Sequence, residues 1–175
     1  MSNKLSPRPA ALAGLLLLCP SLMGGTLARV DFNQRLLATH NEVRSVAGVA
    51  PLVWDETLAK DAKTWAQELA ATGTFEHSPD DPAKEPEGEN LWAGTPDAFS
   101  PEGMIRYWAN EQKDYRPGIF PDNSRSGNIE NVGHYTQLIW RRTGRVGCAI
   151  ARGQGEEVLV CRYSEAGNVY GERPV

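Results

Sequence analysis

Residues 133–140 read GHYTQLIW, and the short run GCA follows at residues 147–149. From Thr136 onward the first segment is dominated by β-branched, apolar and aromatic residues, a composition typical of a buried strand. Because side chains alternate along a strand, we expect His134 on one face and Tyr135 on the other. The sequence therefore predicts a central strand that begins near His134.

The first 28 residues have the layout of a secretory signal peptide. Lys4 and Arg8 precede an apolar stretch at residues 10–18, and small residues ending at Ala28 follow, which predicts cleavage after Ala28. The alternative is a lipid-modified Cys19, but its neighbours are larger than the small residues expected beside a lipidated cysteine. The apolar stretch is too short to cross a bilayer as a helix of the mature protein. We therefore expect no transmembrane segment and a secreted or periplasmic location.

The remaining residues, 29–175, have the length of one domain with a hydrophobic core. They contain 16 basic and 22 acidic residues, a net charge of −6 with neutral histidines. This charge argues against electrostatic binding to nucleic acid or to an anionic membrane. The sequence shows neither an internal repeat nor a linker to a second domain, so we expect one domain and a monomer.

A β-hairpin is predicted near the end of the chain, where residues 146–152 and 157–163 flank a Gly-rich turn. A register that pairs Arg152 with Glu157 also places Cys148 opposite Cys161, so the turn and the cysteines agree on one register. Export to an oxidising compartment favours a disulfide between these two cysteines.

Capping residues and apolar spacing predict a helix near the start of the mature chain. It begins after a cap at Asp31 or Asn33, runs to Ala47 and is stopped by Gly48. His40 shares a face with apolar residues of this helix, which indicates a packed, hydrogen-bonded histidine rather than a metal ligand.

Two further helices are predicted. The second begins after a cap at Asp55, ends at Gly73 and places Trp65 in the core. The third begins at Ser100-Pro101, and Glu111 lies on its apolar face. A carboxylate in that position must have a partner, because burying an unpaired charge is costly.

A long loop, residues 73–88, separates the second helix from the third. Loops of this length in a compact domain are usually functional or mobile. Its acidic residues are most simply a solvated surface, since their spacing does not match an EF-hand; they are Asp80, Asp81, Glu85 and Glu87.

Four side chains are candidates for a functional site: His77, Glu89, Glu111 and His134. The mature chain has only three histidines, and two of them lie in a loop or at the start of the predicted strand. Glu111 faces inward on its helix. Spacing alone does not select the set, because its members come from two loops, a helix and a strand.

The chain resembles the CAP superfamily, which comprises the cysteine-rich secretory, antigen 5 and pathogenesis-related 1 proteins. The similarity runs from about Leu36 to Pro174 and is closest to pathogenesis-related 1 proteins. It lies in GHYTQ-x-x-W and GCA, in His77-Ser78 with Gly88-Glu89-Asn90-Leu91, and in the tail C-x-Y-x-x-x-G-N at residues 161–168. The resemblance implies a three-layer αβα sandwich with a small central, mostly antiparallel sheet, and a cleft tetrad formed by the four candidate residues.

Such a tetrad allows three chemical interpretations. His77 and His134, supported by Glu89 and Glu111, would bind Zn²⁺ or another divalent cation and activate water. The carboxylates would otherwise act as metal-free acid–base groups, or the four residues would form a polar network that rigidifies the cleft.

The resemblance implies an extracellular protein that binds a sterol, a fatty acid or another small apolar ligand. Two alternatives stay open at this point. One is a metal-dependent extracellular hydrolase that acts at the tetrad. The other is a non-catalytic scaffold that engages a host or microbial protein.

Overall fold

The computed structural model describes the backbone from residue 23 and the side chains from residue 32. Its regular elements are α1 Met23–Ala47, β1 Val53–Trp54, α2 Glu56–Thr72, β2 Gly88–Gly94, α3 Pro101–Ala109, α4 Gly133–Leu138, β3 Arg145–Gly153 and β4 Glu156–Ser164, with 3₁₀ turns at Asn110–Lys113 and Ile129–Asn131. Most of the predicted signal peptide, including Cys19, lies outside the described residues, and cleavage after Ala28 stays a prediction. In the described part of the chain, no helix combines the length and the apolarity that a membrane span requires.

One four-stranded sheet forms the centre of the fold, in the order β1-β3-β4-β2. The two pairings of β4 are antiparallel, and β1 lies parallel to β3. Alternate residues of β4 pack into different cores: Leu159 and Tyr163 face the core shared with α1, α3 and α4, whereas Val158 and Val160 face α2. The sheet therefore lies between two helical layers, as the predicted αβα sandwich requires.

The C-terminal hairpin has the predicted register. Arg152 lies opposite Glu157 and Cys148 lies opposite Cys161, and the two cysteines are joined by a disulfide. The Cα atoms of the two cysteines are 4.1 Å apart. The hairpin is thus fixed at its turn by charge pairing and near its middle by a covalent bond.

Helix α2 has the predicted caps, since the Asp55 carboxylate accepts hydrogen bonds from two backbone N–H groups of the first turn and Gly73 adopts a left-handed conformation at the end. The helix packs directly on β3. A Cβ atom on Gly153 would lie 2.0 Å from the carbonyl oxygen of Ala70, so only glycine permits this approach. Trp65, predicted in the core, is only half-buried, and its Nε1–H donates to the carbonyl of Glu76.

Helix α1 begins at Met23, so the predicted caps at Asp31 and Asn33 are wrong. Both residues lie inside the helix, which extends upstream of the predicted caps. The predicted stop at Gly48 is confirmed, with φ of +73°.

His40 is fully buried, as expected. Its Nδ1 lies 2.8 Å from the carbonyl oxygen of Leu36, and its Nε2 lies 2.9 Å from the hydroxyl of Tyr163. Burial lowers the pKa of His40 to about 4.

The predicted central strand is wrong, since residues 133–138 form helix α4. The Thr136 hydroxyl donates to the carbonyl of Val132 one turn earlier, and Tyr135 to Leu138 are all buried. A short segment that is buried on every side is rich in apolar residues whether it is a helix or a strand. Composition therefore indicated burial here, and the backbone conformation depends on contacts with other elements.

Candidate functional site

The four candidate side chains form two His–Glu pairs. His77, in the loop after α2, lies with Nδ1 2.7 Å from Oε1 of Glu89. His134, the second residue of α4, lies with Nδ1 2.6 Å from Oε1 of Glu111. Glu89 belongs to strand β2 rather than to a loop, and Glu111 lies in the 3₁₀ turn that follows α3.

Each glutamate also binds the backbone N–H of the residue that follows its histidine. Ser78 N lies 3.1 Å from Glu89 Oε1, and Tyr135 N lies 3.0 Å from Glu111 Oε2. The second bond caps the N-terminus of α4, where N–H groups have no partner within the helix. The inward position of Glu111 is thus explained by partners on α4, as the need for a partner predicted.

The carboxylates determine which nitrogen of each ring carries the proton. An ionised carboxylate only accepts hydrogen bonds, so Nδ1 of His77 and of His134 is the donor. In the neutral imidazole the lone pair then lies on Nε2. The two histidines therefore share one arrangement, with Nδ1–H held by a glutamate and Nε2 available to a ligand.

Glu89 is the most enclosed member of the set, with a side chain that is 7 % exposed. Its Oε2 forms an ion pair with Arg162 Nε at 3.1 Å, although neither atom meets hydrogen-bond geometry. Burial alone would raise the pKa of Glu89, but hydrogen bonds from His77 and from the N–H of Ser78, together with the charge of Arg162, hold it below its usual value.

His77 and Glu89 open into a cleft of about 760 Å³ between α2 and the following loop. Trp65 and Arg162 also line this cleft. Three acids of the loop, Asp80, Asp81 and Glu85, are exposed, as predicted for a solvated surface. The fourth differs, because Glu87 is half-buried and its carboxylate lies 3.2 Å from Arg162.

The second pair, Glu111 and His134, lies outside the lining of that cleft. The pairs are connected through β2, since Asn90 Nδ2 donates to the carbonyl of His134 at 3.2 Å. In the part of the chain with described side chains, three potential ligand atoms come within 4.8 Å of one another only in a cluster of His40 and the two cysteines. The structure thus brings the candidates together as two pairs rather than as one compact group of four.

The tail of the domain positions α4, a role that was not predicted. Asn168 Nδ2 donates to the carbonyl of Gly133 at 2.9 Å, and its Oδ1 accepts from the Thr136 hydroxyl at 2.7 Å. The N–H of Gly167 donates to Oε1 of Gln137 at 2.9 Å. The Gly-Asn of the tail was visible in the sequence, but its contact with α4 was not.

Arg44 holds the other end of α4 and was also not predicted. The guanidinium is fully buried and donates to four carbonyl oxygens, those of Ala50, Leu138, Trp140 and Thr143. Burial lowers its pKa to about 10. A lone arginine in the last turn of a helix carries no sequence signal of such a role.

The Cysteine-rich secretory protein family, CAP, matches residues 37–163 of this chain. Together with the αβα sandwich and the two His–Glu pairs, this match shows that the chain belongs to the CAP family. The family and the disulfide are both consistent with an extracellular location.

Its relatives include plant proteins of the pathogenesis-related 1 type. The chain is 36% identical to a PR-1 type protein of Sambucus nigra, over 81% of this chain and 80% of the relative. It is 35% identical to pathogenesis-related protein 1C of Nicotiana tabacum, over 81% and 79%. These similarities define a PR-1-like member of the family.

Solved structures show the same fold. The structure of NaASP2 with Zn²⁺ matches that of this chain with a TM-score of 0.68 and 24% sequence identity. The match covers 81% of this chain and 83% of NaASP2. The structure of BmVAL-1 matches with a TM-score of 0.67 and 23% sequence identity, over 90% of this chain and 86% of BmVAL-1.

Proposed function

We propose that this CAP protein acts outside the cytoplasm and binds a divalent cation such as Zn²⁺ through His77 and His134. The observation that supports this is the shared arrangement of the two rings, each with Nδ1–H on a glutamate. Histidines that ligate metals almost always donate the other ring N–H to a carboxylate or a carbonyl, which fixes the tautomer and raises the basicity of the ligating nitrogen. Glu89 and Glu111 would act as these supports.

The two imidazole donors suit zinc, which is commonly bound by histidine nitrogen. Two imidazoles from the protein leave positions open for water or for a ligand carboxylate. A bound ion would polarise such a water, which is the chemistry that zinc supplies in open sites. The determination of NaASP2, a protein with the same fold, with Zn²⁺ also supports the proposal.

Calorimetric titration of the purified protein with Zn²⁺ tests the proposal. We expect one ion per chain, and His77→Ala and His134→Ala should each weaken binding strongly. Glu85→Gln is the matched control, because Glu85 is exposed and lines the same cleft, whereas the hydrogen bonds of the two histidine rings go to Glu89 and Glu111. Unchanged zinc affinity in the double variant His77→Ala/His134→Ala would place the metal elsewhere and overturn the proposal.

A second candidate function is the binding of a sterol, a fatty acid or another small apolar ligand. It is favoured by an exposed apolar surface around Phe120, where Ile119 is 47% exposed and Tyr170 is 76% exposed. The rings of Phe120 and Tyr170 are in edge contact at 5.4 Å. Burial of such side chains by an apolar ligand is favourable.

This function is tested with sterol and fatty-acid binding, measured with and without a chelator. Replacement of Ile119 and Tyr170 by Ser should weaken binding, while His77→Ala/His134→Ala should leave it intact. If the serine variants bind as tightly as the unaltered protein, the apolar ligand does not occupy this surface.

A further inference from the structure

A second group of potential metal-ligating side chains lies in the core and includes no member of either His–Glu pair. Ligand atoms of His40, Cys148 and Cys161 lie within 4.8 Å of one another, and all three residues are buried. The cysteines lie directly opposite each other on β3 and β4. In the oxidised protein their sulfur atoms are bonded to each other and do not ligate a metal.

The hydrogen bonds of His40 already prepare its ring for ligation. A backbone carbonyl only accepts hydrogen bonds, so Nδ1 donates to the carbonyl of Leu36 and the lone pair lies on Nε2. In a metal-ligating histidine, the ring nitrogen that does not bind the metal commonly donates its hydrogen to a backbone carbonyl. The hydroxyl of Tyr163 now donates to that lone pair at 2.9 Å.

We propose that reduction of the Cys148–Cys161 disulfide creates a buried zinc site formed by the two thiolates and Nε2 of His40. A dithiol reductant supplies two electrons and two protons, so the S–S bond breaks, two thiols form and the dithiol becomes a disulfide. Zn²⁺ then displaces both thiol protons into the solvent. The Tyr163 hydroxyl gives up its bond to Nε2 as the metal binds there.

The charge balance favours such a centre in the interior. Two thiolates cancel the double positive charge of the ion, so the buried group carries no net charge and avoids the main cost of burying ions. Two cysteines with one histidine form a known zinc ligand set that leaves one position open, and thiolates select zinc over harder cations.

The site would exist only in the folded chain before its disulfide closes, or after the disulfide has been reduced. Metal binding and disulfide formation use the same two sulfur atoms, so they exclude each other. Bound Zn²⁺ should therefore slow oxidation of the thiols. This inference does not depend on cation binding at His77 and His134.

The test uses the exported protein carrying His77→Ala/His134→Ala, which removes the other two histidines. Oxidised protein is compared with protein reduced by a dithiol and freed of it under anaerobic conditions, with Co²⁺ as a spectroscopic stand-in for zinc. We expect thiolate-to-cobalt charge-transfer absorption at one ion per chain in the reduced protein and none in the oxidised protein. His40→Gln should weaken binding about tenfold or more, since loss of an outer partner alone costs about that much.

Circular dichroism with thermal melting shows whether the reduced chain is folded. We expect Zn²⁺ to raise the melting temperature of the reduced protein and to leave that of the oxidised protein unchanged. Equal cobalt affinity before and after His40→Gln would show binding by the thiols alone and overturn the proposal. A reduced chain that is unfolded and stays unfolded with Zn²⁺ would overturn it as well.

Discussion

Trp108 lies parallel to His134, with ring planes 9° apart and ring centroids 5.9 Å apart. The Nε1–H of the same indole donates a 3.0 Å hydrogen bond to the carbonyl of Leu91 on β2, two residues beyond Glu89. Trp108 therefore connects the strand that carries one His–Glu pair to the ring of the other. It is fully buried, so its position is set by the core rather than by solvent.

Trp108→Phe should keep an aromatic ring under His134 but leave the carbonyl of Leu91 without its donor. Loss of one buried hydrogen bond costs about 0.5–1.5 kcal/mol, and the smaller ring adds a cavity cost. Urea unfolding measures the loss. The matched control is Trp54→Phe, because the buried Nε1 of Trp54 has no hydrogen-bond partner to lose. Equal destabilisation by the two substitutions would show that the bond to Leu91 contributes nothing.

Glu89→Gln and Glu111→Gln should each lower the affinity for Zn²⁺ by about 10–100-fold. At position 89 one glutamine oxygen can still accept from both donors, because Oε1 of Glu89 accepts from His77 and from Ser78 N. At position 111 the two bonds go to different oxygens, so glutamine can keep only one of them. Both substitutions remove the charge that strengthens the histidine as a ligand. Isothermal calorimetry measures the affinities, with Glu85→Gln as the exposed control. Full affinity in both variants would exclude the glutamates as supports of the ligating rings.

Gly88→Ala should destabilise the domain by about 1–3 kcal/mol. A Cβ atom there would lie 2.1 Å from Oε1 of Gln137, and this amide is itself buried and bonded to Gly167. Gly144→Ala is the control, since nothing lies within 4 Å of its Cβ position. Chemical denaturation measures the free energy of unfolding of both variants. Similar values would show that the Gln137 side chain moves aside at little cost.

Local signals predicted a large part of the fold. Asp55 and Gly73 were read as the ends of α2 because caps depend on residues close in sequence. The hairpin register could be predicted because pairing Arg152 with Glu157 and pairing Cys148 with Cys161 require the same alignment of the two strands. His40 could be predicted to be packed because it shares a helix face with apolar residues.

The contacts between distant segments could not be predicted in the same way. The helical conformation of α4 depends on Glu111, which caps it from 24 residues away, and on Asn168 from the tail. The sequence does not predict a strand at Glu89, because β2 has glycine at both ends and glycine is depleted in strands. The four site residues are selected by the resemblance to the CAP superfamily, because their spacing in the sequence alone does not single them out.

Replacement of both Cys148 and Cys161 by Ala should lower the stability of the oxidised protein by roughly 3 kcal/mol, the estimate for closing a short loop. The fold should survive, because the turn and the pairing of Arg152 with Glu157 still define the register. Thermal melting measures the loss, and circular dichroism shows whether the fold is retained. Titration of two free thiols in exported, unreduced protein would contradict the presence of the bond.

His40 should make stability depend on pH below neutrality. Burial lowers its pKa from the ordinary value of 6.5 to about 4. Between these values the unfolded chain binds a proton that the folded protein does not, so unfolding is favoured as the pH falls. The contribution of the buried neutral ring is fully present above about pH 6.5 and is lost as the pH falls to about 4, a total of about 3 kcal/mol.

The measurement is urea unfolding between about pH 7 and pH 4, repeated with His40→Gln. Glutamine is uncharged throughout this range and offers an amide to Leu36 and Tyr163, so the variant should lose less stability as the pH falls. Glu89 also has a lowered pKa and loses its contribution towards acid pH, but it does so equally in both proteins. The difference between the two curves therefore isolates His40, and parallel curves would show that the ring is protonated in the folded state as readily as in the unfolded chain.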